Sequence, residues 1–254
     1  GCAGGGNVIP LAIHFPKTKI FGIDLSKEQI AQANESKKVM GLKNVEFEQM
    51  DISKFPKDAG KFDYIICHGV FSWVPQFVRN AILDVCKNHL SPKGLAVISY
   101  NTLPGWSAIK SLREMMIYHT RTFDDAKQQI HEAKSLLNFL YENTPKNNDS
   151  YRQIIDRERQ LLNKTNDSYV FHEHLESENH QFYLHEFASM VNEHGLSYVG
   201  DAELATMYSG NFSENARNTL SKISDIVRQE QYLDFLSNRR FRQSIVTLAD
   251  NAKD

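Results

Sequence analysis

At 254 residues, 41% of them hydrophobic and 24% charged, the chain is long enough to bury one sizeable core or two modest ones. Its formal net charge of -2 leaves no basic footprint, which disfavours nucleic acid as a partner. No apolar run reaches the about 18 residues of a membrane span and the start lacks the basic and apolar regions of a signal peptide, so a chain beginning here is expected in the cytoplasm without stable membrane association. Its three cysteines, Cys2, Cys67 and Cys86, have neither CxxC nor zinc-ligand spacing, so no disulfide framework and no structural metal are expected.

The chain opens on GCAGGG, a glycine-rich turn of the kind that normally follows a buried strand; no strand stands before it here, so a first strand is expected to be missing. Asn7 to Phe15 reads as a short helix, and Lys19 to Asp24 (KIFGID) as an apolar strand. Ser26 and Gln29 form a capping box for a helix to about Met40, which Gly41 ends. Asn44 to Met50 alternates like a strand, Phe62 to Cys67 (FDYIIC) reads as a buried one, and Pro75 starts a helix to about Leu90. The turn Ser91-Pro92-Lys93-Gly94 precedes the strand LAVISYN. Strands alternating with helices predict a Rossmann-like α/β fold: a parallel sheet with helices on both faces and ligands beyond the carboxyl ends of the strands.

After Trp106 the pattern changes to polar helices, near Ala108 to Arg121, Asp124 to Glu142 and Ser150 to Asn163, with Thr144 to Ser150 as a linker. A helix at Leu184 to His194, a strand at Leu196 to Gly200 and a strand at Phe241 to Leu248 follow. Three regions are therefore expected: a ligand-binding domain over 1–106, a helical insertion over 107–167, and an α+β region over 168–254. His172, His174, His180 and His185 lack the spacing of a helical metal site and, with the acids between them, read as a solvated, salt-bridged surface; Arg239, Arg240 and Arg242 read the same way.

Chemistry concentrates where strands end. Gly1, Ala3 and Gly5 make a GxAxG turn at a helix start, where small residues let backbone N–H groups reach a carboxylate or phosphate; the turn alone does not separate a nucleotide cofactor from S-adenosylmethionine. Asp24 ends its strand 23 residues after Gly1, where a carboxylate can accept both ribose hydroxyls of an adenosine, or merely lead into the helix at Ser26. Asp51 can accept from an adenine amino group with Met50 or Ile52 against the ring, or cap a turn. FDYIICHGVFSWVP delivers His68 and Gly69 to the same crevice with Trp73 behind them, as pocket or as packing.

The run GCAGGGNVIPLA, FGIDLS, EQMDI, FDYIICHGVFSWVP and SYNTLPGW resembles the cofactor domain of class I methyltransferases. More narrowly, with FHEHLESENHQFYLHEF, GLSYVGDAEL and QYLDFLSNRRFRQSIV, the chain resembles bacterial methyltransferases that carry a methyltransferase regulatory domain, among them lysine methyltransferases acting on outer-membrane proteins. The resemblance implies an enzyme using S-adenosylmethionine, with Gly1, Ala3 and Gly5 at its methionine end, Asp24 and Leu25 at the ribose, Met50, Asp51 and Ile52 at the adenine, and His68 flooring the sulfonium. Tyr100, Asn101 and Trp106 would face the transferable methyl and carry the acceptor side. The acceptor is expected to be a protein lysine; a small-molecule acceptor, or a cofactor-binding regulatory protein without turnover, are the alternatives. Ala3 departs from the glycine common at that place, and the acid usual before the loop is absent because the chain starts at Gly1.

Overall fold

The structure, a computed structural model, describes residues 1–253. Helix α1 (Val8–His14) leads into strand β1 (Ile20–Asp24), helix α2 (Lys27–Val39), strand β2 (Val45–Gln49), strand β3 (Phe62–Cys67), helix α3 (Gln76–His89) and strand β4 (Leu90–Asn101). Helices α4 (Ser107–Thr120), α5 (Ala126–Asn143), α6 (Asp149–Lys164) and α7 (Asp167–Leu175) follow. The chain then returns through α8 (Leu184–Glu193), β5 (Leu196–Asp201), α9 (Glu214–Leu220), α10 (Ile226–Ser237) and β6 (Phe241–Leu248). Local chemistry sets several ends: Ser26 Oγ accepts the Gln29 N–H at the start of α2, the one half of the expected capping box that forms, and Gly41 takes φ +65° just past its end.

The sheet is mixed rather than wholly parallel. β1 and β2 pair in parallel as one ribbon, and β3, β4, β6 and β5 form a second sheet in that order. β3 and β4 are parallel, but β6 runs antiparallel to both β4 and β5. The C-terminal region therefore extends the same sheet that β3 and β4 begin. Gly1 and Cys2 lie between the two sheets: both donate backbone N–H bonds to the Ile23 carbonyl, at 2.8 and 2.9 Å, while Gly1 packs against Val70 just past β3.

Two expectations about strands are corrected. FDYIIC is covered on one face only: Ile65 and Cys67 pack toward the core beside α3, whereas Tyr64 is 71% and Ile66 53% exposed. The Ser91-Pro92-Lys93-Gly94 turn does not precede its strand but lies inside β4. The register steps from Phe62 opposite Leu90 to Tyr64 opposite Leu95, so these residues bulge out of the ladder without ending it. Helices α7, α9 and α10 were not expected; the inward faces of α7 and α10 carry a histidine and acids where the helical pattern calls for apolar residues.

The larger apolar cores follow from the sequence pattern. Phe71, Leu83, Cys86, Ile98, Phe182, Phe187 and Val246 lie buried about the main sheet. Leu112, Met116, Ile130, Leu137, Ile155 and Val170 join α4 to α7 into a bundle, and Ile9, Ile30, Val45 and Phe47 close α1 and α2 onto the β1–β2 ribbon.

The arginines near the end are not a solvated face, which corrects the sequence reading. Arg242 is fully buried; its Nε and Nη2 each donate to Asp234 at 2.8 Å, and its Nη1 donates to Glu230 at 3.1 Å and to the Tyr198 hydroxyl at 3.0 Å. Arg239 bonds Asp201 at 2.9 Å, and only Arg240 stays half exposed. The histidine stretch divides in the same way. His174 is buried on α7 with its Nε2 2.8 Å from Glu158, whereas His185 lies at the surface beside Gln231. Removing one partner of a buried ion cluster strands the other charges, at about 3–5 kcal/mol. Arg242→Ala is therefore expected to lower unfolding stability by about that amount in a denaturant titration. Arg240→Ala should change it by less than about 1 kcal/mol.

Candidate functional site

The carboxyl ends of β1, β2, β3 and β4 and the turn at residues 1–6 form one edge of the molecule. Ala3 holds φ +45° and Gly5 φ +85°, and these positive angles bend the turn so that the Ala3 N–H donates to Asp24 Oδ2 at 2.8 Å. Asp24 Oδ1 accepts the Ser26 N–H at 2.9 Å, so this one carboxylate ties the glycine turn to the start of α2. Each oxygen thereby uses one of its acceptor sites and keeps another. Leu25, the next residue, is 70% exposed on this edge.

β2 is drawn alongside: the Met50 N–H donates to the Asp24 carbonyl at 2.9 Å, and Gln49 Nε2 donates to the Leu25 carbonyl at 3.2 Å. Asp51 caps the short 3₁₀ turn Ile52–Lys54, with Oδ1 accepting both the N–H and the hydroxyl of Ser53 at 2.9 and 2.7 Å. Those bonds hold its carboxyl below the usual carboxylate range, so Asp51 stays an ionised acceptor while it caps the turn. Ile52 reaches back to the main core, which fixes the loop after β2 against the end of β3.

After β3, His68 is exposed and meets Phe241 edge-on at 5.8 Å. Gly69, at φ +71°, donates its N–H to Ser99 Oγ at 2.8 Å. The 3₁₀ turn Phe71–Trp73 then crosses to β4, where Ser72 Oγ accepts the Asn101 N–H at 2.9 Å. Asn101 is buried, its Nδ2 donates to Asn179 Oδ1 at 3.2 Å, and its Oδ1 takes no hydrogen bond among the described residues. Trp106 is buried with its ring 6.3 Å from Trp73.

Tyr100 does not join this edge. It points to the opposite face of β4 from Asn101, stacks on Phe187 at 4.2 Å and bonds Ser244 Oγ at 2.9 Å. Burial pushes its hydroxyl above the ordinary tyrosine value, and it is a core residue rather than part of an acceptor mouth. The structure thus brings Gly1, Ala3, Gly5, Asp24, Leu25, Met50, Asp51, Ile52, His68, Asn101 and Trp106 to one edge and leaves Tyr100 out. It adds Asn179 and His172, which sequence reasoning missed as site residues: Asn179 was not singled out, and His172 was read only with its histidine neighbours. Their partners Asn101 and Trp73 lie about 80 and 100 residues away in the chain, a separation no local pattern bridges.

Residues 1–174 match the family described as "Methyltransferase domain", and residues 166–247 match "Predicted methyltransferase regulatory domain". The chain belongs to the methyltransferase domain family. It is 46% identical over 246 residues to an uncharacterized protein of Rickettsia prowazekii, across 97% of this chain and 44% of that protein. A second uncharacterized protein of the same organism is 38% identical over 187 residues, 74% of this chain and 75% of the relative. The structure of PKMT2 from Rickettsia typhi in complex with AdoHcy is similar with a TM-score of 0.88 at 38% identity, over 98% of this chain and 48% of that one. The chain thus spans under half the length of the first of these relatives and of PKMT2.

The geometry of the glycine turn can be tested directly. At Gly5 an added Cβ would meet Ile9 at 2.9 Å and Phe47 at 3.2 Å in a conformation unfavourable to side chains, so Gly5→Ala should cost about 1–3 kcal/mol. Ala3→Gly relieves φ +45° and should leave stability unchanged or raise it by up to about 1 kcal/mol, the reverse of the usual Ala-to-Gly loss. Chemical denaturation of the two variants reads both effects.

Proposed function

We propose that this chain carries out S-adenosylmethionine-dependent methyl transfer, with a protein lysine as the acceptor. The observation that carries the reading is the Ala3–Asp24 bond, which places a strand-end acid directly against a glycine turn, as an adenosine with an amino-acid tail requires. The residues fit that ligand. Gly1, Ala3 and Gly5 would meet the methionine end; Asp24, with acceptor sites to spare, and exposed Leu25 the ribose; and part-buried Met50 and Ile52 the adenine ring. Asp51, held ionised, would accept from the adenine amino group, and His68 would floor the sulfonium. The PKMT2 relative in complex with AdoHcy supports the cofactor, and both its name and the resemblance to lysine methyltransferases support the acceptor.

The bound cofactor supplies a methyl carbon on a positively charged sulfur, open to in-line displacement by a neutral amine. The protein's contribution is alignment and exclusion of water. Asn101 is the residue placed for alignment: its backbone is fixed by Ser72 and Phe182, its Nδ2 by Asn179, and its free Oδ1 can accept an N–H of the amine and aim the lone pair. The nucleophile's lost proton goes to solvent before attack.

Two measurements test this on the full-length protein. Calorimetry should show binding of S-adenosylmethionine and S-adenosylhomocysteine and none of NAD, and Asp24→Ala should weaken the former by about 1.5–3 kcal/mol; tight NAD binding with no heat from S-adenosylmethionine would overturn the reading. Asn101→Ala should lower turnover by about 100-fold while the cofactor dissociation constant stays within about twofold, since the residue acts on the nucleophile. A parallel loss of cofactor affinity would put Asn101 in the donor pocket.

A further inference from the structure

Residues 179–182, within the stretch that matches the regulatory family, run as a strap along the end of β4. The His180 N–H donates to the Ser72 carbonyl at 2.7 Å, the Phe182 N–H donates to the Asn101 carbonyl at 3.0 Å, and Phe182 forms a parallel bridge with Thr102. The strap brings two carboxamides, Asn179 and the buried Gln181, up to a third, that of Asn101. A carboxamide has one accepting and one donating end of nearly equal size, so its partners alone decide which end faces which way.

Here the partners leave no choice. Gln181 faces the main-chain carbonyl of Asn179, which can only accept, and therefore presents Nε2 to it at 3.0 Å. The same Nε2 donates to Asn179 Oδ1 at 2.9 Å, so the Asn179 side chain must turn its oxygen this way. That oxygen also accepts Asn101 Nδ2 at 3.2 Å, which leaves Asn101 with a free Oδ1. Reversing Asn179 would set its N–H groups against those of both neighbours. Holding it in this orientation has a cost, because Asn179 Nδ2 is buried with no partner among the described residues, an arrangement that folded proteins seldom keep.

We propose that Asn179 is a positioning residue for methyl transfer: held by Gln181, it forces Asn101 to turn its accepting oxygen, and not its donating nitrogen, toward the nucleophile. This rests on the methyl-transfer reading above and adds that the region matched as regulatory sets the polarity of the site. An oxygen favours a nucleophile that carries N–H groups; a reversed amide would repel it.

Sinefungin, an analogue of S-adenosylmethionine in which a carbon bearing an ammonium group replaces the methylated sulfur, puts N–H donors where the methyl would stand and reads this polarity without an acceptor. Calorimetry on the full-length protein gives its preference over S-adenosylhomocysteine as the ratio of the two dissociation constants. Asn101→Ala should lower that preference about tenfold or more, the loss of a hydrogen bond to a charged group. Asn179→Leu and, independently, Gln181→Met should lower it about three- to tenfold while affinity for S-adenosylhomocysteine stays within about twofold, and Asn179→Asp, which keeps the accepting oxygen, should retain it. In the Asn101→Ala background Asn179→Leu should add less than about twofold, because it acts through Asn101. An unchanged preference in Asn101→Ala or in both Asn179→Leu and Gln181→Met, a full further loss in the double variant, or a parallel loss of S-adenosylhomocysteine affinity would overturn the proposal. Absence of heat from both ligands in the wild-type protein would reject the methyl-transfer reading itself, and the proposal with it, so the two failures are distinguishable.

Discussion

The edge on which the site is built depends on the burial of Arg242. This guanidinium sits in the ladder opposite Tyr100, where β6 runs between β4 and β5, and it is tolerable there only because α10 and β5 bring acids to it. Burial pushes the Glu230 and Asp234 carboxyls above their usual range, a cost that the arginine offsets through a two-pronged bond to Asp234. β6 is thereby locked in place. The turn just before it, with Asn238 in the left-handed region at φ +49°, is locked with it.

That turn is what holds the segment after β4. The Arg240 carbonyl accepts the Thr102 N–H at 2.9 Å, and the Arg239 carbonyl accepts the Gly105 N–H at 3.0 Å and the Thr102 hydroxyl at 2.9 Å. The approach is so close that a Cβ on Gly105 would lie 2.3 Å from the Arg239 oxygen, so only glycine fits. An ion cluster in the C-terminal region thus fixes, through three backbone segments, the stretch between Asn101 and Trp106. The match of residues 166–247 to a separate regulatory family therefore falls on a part of the chain that is structurally continuous with the methyltransferase sheet.

Two neighbouring residues show how one strand serves both core and site. Tyr100 and Asn101 project to opposite faces of β4: the tyrosine stacks on Phe187 and stabilises the sheet, and the asparagine donates to Asn179. The α4–α7 bundle keeps its own core and meets the turn after β3 through His172 on Trp73, while Arg113 on α4 donates to the Glu176 carbonyl at the end of α7. A bundle attached in this way can vary its surface without disturbing the sheet that carries the glycine turn.

The sequence by itself determined the elements whose signals are local. Strands β1 and β2, helices α1 to α6, and the placing of Asp24 at the end of β1 were legible because each rests on periodicity, a cap, or an acid at a strand end within a few residues. The tertiary structure alone decided the rest. The direction of β6, the burial of Arg242 and His174, the pairing of Arg239 with Asp201, the helices α7 and α10 with acids or a histidine turned inward, and the withdrawal of Tyr100 into the core all depend on partners far apart in the chain. A charged residue reads as exposed until a second charge is known to meet it, and that meeting is a property of the folded chain. The same holds for Trp73 and His172, which gain their relation only when α7 crosses the sheet edge.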